Sequence, residues 1–241
     1  MSPRQRCVED FFLIQPNFSL LLPIQSKLWK MEEKNRKLRE KEQKRLAVFE
    51  STCERLLGQG YKMTSLTIGI VKANVVVLLL AIPIVAIGML LFAWKNPISL
   101  LTPTPQGSLL FVVLFAVLVV VHELIHGLTW SLFTEHHFKD IEFGFMKEFL
   151  TPYCTCKVPM SKGHYILGAL MPCIILGILP TALGILLGSH LMFWIGIVMI
   201  MSAGGDIMIV VKVLAHRRED GSKEILVYDH PTQAGSMIFE K

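Results

Sequence analysis

Apolar and polar positions divide this chain into two kinds of segment. Four runs stay apolar for roughly the 20 residues that a membrane-crossing helix needs: about Ala73–Ala93, Ser108–Phe133, Tyr165–Gly188 and Leu191–Ala215. Pro83, Pro172 and Pro180 inside them predict kinks rather than ends, because neighbouring helices can satisfy the freed backbone groups. From Met31 to Gly60 the sequence is charged, with Glu33–Lys37 and Glu40–Lys44 at i,i+4 spacing. Leu46, Phe49, Cys53 and Leu56 form an apolar stripe on the same stretch. This predicts an amphipathic helix stopped by Gly58 and Gly60, lying on the membrane surface or against the loop after the second span. In that loop Ile141, Phe143 and Phe145 alternate with Glu142, Gly144 and Met146, and "YCTCKV" alternates again from Tyr153. Residues 141–158 therefore read as a β-hairpin. The last 26 residues read as a polar tail with one strand, "EILVY". Residues 1–28 are apolar but broken by Pro16 and Pro23, and fit an interfacial segment or an extension outside the fold.

The predicted fold is an all-α polytopic membrane protein. It has four transmembrane helices, an N-terminal cytoplasmic amphipathic helix, and a small β-hairpin in the cytoplasmic loop between helices two and three. Residues 1–60 form the N-terminal extension and 61–241 the four-helix domain. Charge sets the orientation. Of 24 Lys and Arg, 14 precede the first span, one follows it, four lie between spans two and three, and five lie at or beyond the end of span four. Positive residues stay in the cytoplasm, so both termini and the 134–163 loop are predicted there, in a multi-pass cell-membrane protein. The net charge of +5 is then a topology signal, and the basic residues lack the aromatic interleaving of a nucleic-acid surface. Five scattered cysteines on the reducing side predict no structural disulfide.

Only two acids fall inside the spans, Glu123 and Asp206. An acid at a span centre costs on the order of 3 kcal/mol to insert, so each needs a partner or a function. Spans two and four run in the same direction. At 1.5 Å per residue His122 and His126 lie about 21 and 27 Å into span two, and Asp206 about 22 Å into span four. The three share one level. "HELIH", residues 122–126, is the H-E-x-x-H pattern: on a helix its two histidines share a face and can hold one zinc ion, with Glu123 beside the open position. Catalytic zinc takes three protein ligands and a water, and Asp206 is the available third. The alternative is a metal-free polar patch in which His–Asp hydrogen bonds hold two helices together.

With "HELIHG" and the later "SAGGD", the sequence resembles a family of bacterial membrane proteins described as zincin peptidases, similar in turn to the site-2 proteases, the intramembrane zinc metalloproteases. The resemblance covers roughly Tyr61 to the C-terminus, including "YCTCKVPM", Pro172 and "DHPTQAG". It implies His122, His126 and Asp206 as zinc ligands and Glu123 as catalytic base. Site-2 proteases draw their aspartate from an Asp-Gly motif, whereas here Gly204 and Gly205 precede Asp206 and Ile207 follows.

These readings imply hydrolysis of peptide bonds in a membrane-embedded or membrane-proximal peptide substrate, with the lipid bilayer as surroundings and zinc as cofactor. Asn74, Tyr153 and His164 are candidates for oxyanion or substrate contacts. Asn74 would equally cap the first span, and the other two suit a membrane interface. The hairpin could hold a substrate by strand addition or serve as a connector. The competing function is a catalytically inactive, zincin-like membrane scaffold or substrate-binding protein. A transporter is disfavoured by the lack of an inverted repeat.

Overall fold

A computed structural model describes residues 40–67, 69–96, 104–146, 151–218, 224–231 and 235–241. The helical class holds among these residues, but the chain also builds more sheet than its sequence suggests. In chain order the elements are α1 (Glu40–Gly58), β1 (Lys62–Thr67), α2 (Ile70–Lys95), α3 (Pro105–Ser131), β2 (Ile141–Met146), β3 (Thr151–Cys156), β4 (Met160–Ser161) and α4 (Lys162–Pro172). A π-helical stretch, Cys173–Ile178, joins α4 to α5 (Leu179–Leu187); α6 (His190–Ser202), α7 (Gly204–Ala215), β5 (Ile225–Asp229) and β6 (Gly235–Glu240) follow.

Among the described residues, three helical stretches are long and apolar enough to cross a membrane: Asn74–Lys95, Pro105–Ser131 and Lys162–Leu187. A fourth arises if α6 and α7, bent by 48° at their junction, count as one span. The predicted fourth span is thus broken rather than continuous. The break falls at Ala203, just before two glycines, where helix propensity is lowest. Pro172 and Pro180 bracket the π-helical stretch, and the Thr181 hydroxyl donates to the Gly177 carbonyl at 2.8 Å beside it. Large side chains such as Leu78, Leu90, Leu109 and Leu187 stay exposed along these helices, as lipid-facing residues do. Leu176, Ile195 and Met199 form a buried cluster against the apolar face of α3.

The second half of the architecture is a four-stranded antiparallel sheet in the order β1-β6-β5-β4. Its two faces bury different partners. Ile225, Val227 and Ile238 pack with Trp130, Tyr165, Ala169, Val210 and Val213 at the ends of α3, α4 and α7. Tyr228, Met237 and Phe239 pack with Phe49, Cys53 and Leu56 of α1. The α1 stripe therefore lies on this sheet. The predicted helix start at Met31 lies outside the described residues. Cys53 is disulfide-bonded, against the expectation that the chain forms no structural disulfide. The predicted hairpin is present as β2 and β3, with Phe143 opposite Cys154.

Candidate metal site

Two helices bring the site together. His122 and His126 lie one turn apart on α3, 4% and 3% exposed. Asp206 sits in the first turn of α7, where the bend has just redirected the chain and the positive end of the helix favours an acid. His122 Nε2 lies 3.1 Å and His126 Nε2 lies 3.3 Å from Asp206 Oδ2, and the two nitrogens are 3.2 Å apart. Among the described residues this is the group of three that could hold a metal ion.

The donor chemistry tests that fit. His126 Nδ1 lies 2.9 Å from the Gly168 carbonyl, which can only accept, so Nδ1 carries the proton. In the neutral ring Nε2 then presents a lone pair toward a carboxylate and a second imidazole. Without a metal, a proton on His122 Nε2 could meet Asp206 Oδ2, but the His126 Nε2 lone pair would still stand 3.3 Å from that oxygen with no cation between them. Ligand atoms around tetrahedral zinc, with bonds of about 2.0–2.1 Å, stand about 3.3 Å apart. The observed triangle has that size, and the residues fit the ion.

Supports outside the triangle fix these rings. A Cβ on Gly168 would stand 2.1 Å from the Trp130 Nε1 atom, so only glycine lets α4 approach α3 closely enough for its carbonyl to meet His126. Trp130 stacks on His126 with ring centroids 5.0 Å apart and donates Nε1–H to the Tyr165 carbonyl at 3.2 Å. The β2–β3 hairpin lies across α3 one residue beyond His126. A Cβ on Gly127 would stand 2.3 Å from the Phe143 ring. Glu123 is half-buried beside this contact, with the Cys154 backbone N–H facing its carboxylate.

The other predicted contacts are not gathered here. Tyr153 projects from the far face of the hairpin, over Gly144, with the Arg45 guanidinium 5.0 Å above its ring. His164 is exposed and stacks on Phe133 at 4.1 Å. Asn74 is exposed on α2, one turn before Val77, whose side chain fills the space where a Gly204 Cβ would lie. Cys154 and Cys156 are free cysteines. Burial pushes the Cys156 thiol up to about 12 and holds Cys154 well above its ordinary range, so neither offers a ready thiolate.

What sequence reasoning missed is Asp229, placed in the polar tail. Its carboxylate accepts hydrogen bonds from Tyr165 Oη at 2.7 Å, the Cys156 N–H at 2.8 Å and Thr155 Oγ1 at 3.1 Å. An alternating "ILVYD" ending in an acid was the available signal. His230, next to Asp229, is buried, and His216 Nε2 lies 2.9 Å from the Glu240 carboxylate.

Residues 115–220 match the model of a family described as "Putative zincin peptidase". The zincin-peptidase match begins eight residues before Glu123 and takes in both histidines and Asp206. It supports a metallopeptidase class and, with the His–His–Asp group, zinc as the metal. No curated protein and no solved structure matches the chain.

Proposed function

We propose that the chain is an intramembrane zinc metalloprotease that hydrolyses a peptide bond of a membrane-embedded or membrane-proximal substrate. The observation that carries this reading is the triangle of His122 Nε2, His126 Nε2 and Asp206 Oδ2, built on helices apolar enough to cross a bilayer. These three residues would hold zinc, whose chemistry is to polarise a carbonyl and acidify a water. Glu123 follows the first ligand and is the one remaining acid of the apolar segments. It would take the proton of the attacking water and pass it to the leaving amine. The hairpin across Gly127 would present an extended substrate to that carboxylate.

The positive-inside asymmetry supports an orientation with both termini, the sheet and the hairpin on the cytoplasmic side of a cell membrane. The site then lies toward that face. The test combines metal content and cleavage of a panel of membrane-anchored peptides by the detergent-purified protein. About one zinc per chain is expected in both wild type and Glu123→Gln, with cleavage lost only in the variant. Cleavage that survives Glu123→Gln, or wild-type protein purified without chelator that holds no metal, would overturn the reading.

A further inference from the structure

Asp229 ends β5, outside the metal triangle, yet two chains of contact lead from it to that triangle. The first runs through aromatic rings. Asp229 Oδ1 accepts the Tyr165 hydroxyl, Tyr165 stacks on Trp130 with centroids 5.7 Å apart, and Trp130 stacks on His126 at 5.0 Å and an interplanar angle of 16°. Gly168, whose carbonyl fixes the His126 tautomer, lies one turn beyond Tyr165 on the same helix. The second runs along β3. Cys154 and Cys156 are two residues apart, so their N–H groups point from the same strand edge. Asp229 takes the N–H of Cys156, and the N–H of Cys154 faces the Glu123 carboxylate.

We propose that Asp229 is a positioning residue for the metal centre, fixing the plane of the His126 ring through Tyr165 and Trp130 and setting the β3 edge against Glu123. The inference rests on the zinc reading of the triangle. It assigns the C-terminal strands a part in metal binding although none of their residues reaches the ion. A merely structural acid would lower stability when changed but leave the ligand geometry of folded protein as it was.

The experiment uses the full chain in detergent and needs no substrate. Zinc affinity is measured by competition with a chromophoric chelator, and the ligand field by visible absorption of the cobalt(II)-loaded protein. Asp229→Asn keeps the shape but sets an amide against one of three donors. We expect zinc binding about tenfold weaker, the lower end of what outer partners of metal ligands contribute, and an altered cobalt spectrum. Tyr165→Phe keeps the ring stack and removes only the hydroxyl, and serves should Asp229→Asn fail to fold. It should shift both readouts less, in the same direction. Asp229→Glu should recover part of the affinity. Wild-type zinc affinity and cobalt spectrum in the folded variants would overturn the proposal while the zinc site stands. A wild type that binds neither metal would instead remove the zinc reading, and this inference with it.

Discussion

Two carboxylates in this molecule sit in opposite surroundings. Asp229 is met by three hydrogen-bond donors, a phenol, a hydroxyl and a backbone amide. Asp206 is met by two imidazole nitrogens, one of which has spent its ring's proton on a carbonyl. A carboxylate surrounded by donors is complete as it stands. A carboxylate facing a lone pair calls for a cation between them. Burial alone does not separate a structural acid from a functional one; the hydrogens around it do.

The largest effect should come from removing a corner of the triangle. His126→Ala or Asp206→Ala should weaken zinc binding by more than about 100-fold, beyond the roughly 10–100-fold that loss of an outer partner costs. Equilibrium dialysis against zinc measures this, and near-wild-type affinity in either variant would erase the distinction between the two acids.

Next comes pH, which should act on the Asp229 region. Burial lowers the neighbouring His230 from 6.5 to about 4. The unfolded chain then binds the proton more tightly, so stability is complete above about pH 6.5 and falls as pH drops toward 4, by up to about 3 kcal/mol. Thermal unfolding in chelator across pH 4–7 reads the slope, and His230→Gln should flatten it.

In chelator the two acids should respond oppositely to amidation. Asp229→Asn sets an amide against a donor and should cost about 1–3 kcal/mol. Asp206→Asn places an amide beside the His126 Nε2 lone pair, to which it can donate, and should leave the metal-free protein no less stable. Equal destabilisation by both would place Asp206 among the structural acids.

The smallest effect is expected at Gly205, beside Asp206. A Cβ there meets nothing within 4 Å, so Gly205→Ala should leave zinc affinity unchanged and shift stability by less than about 1 kcal/mol. Gly168→Ala, driven into Trp130, should lower both.

The apolar runs and the 122–126 pattern made the helical spans and the histidine pair legible, and the common depth of Asp206 pointed to the third corner. The hairpin was readable because Ile141, Phe143 and Phe145 alternate and "YCTCKV" alternates again close by in sequence. The four-stranded sheet was not. "KMTSLT" has no large apolar alternation, and β6, buried along its whole length, lacks the polar face that marks a strand. Their pairing joins Lys62 to Glu240, a separation no local window spans. Asp229 was missed for the same reason: its three donors come from segments more than 60 residues away. The bend at Ala203 was signalled by Gly204 and Gly205, but its angle depends on packing, with Val77 occupying the space a side chain on Gly204 would need.

The place of β6 between β1 and β5 also sets an order of events during synthesis. β1 leaves the ribosome before α2 and the helices that follow, and β6, its neighbour in the sheet among the described residues, is made after all of them. Until Gly235–Glu240 emerge, β1 and β5 each keep an open edge and α1 lacks Met237 and Phe239 beneath its stripe. Closing so long a loop is entropically costly and slow. The helices can therefore be made in full while the layer that steadies them is still missing, and the arrival of Gly235–Glu240 becomes the step that licenses the site.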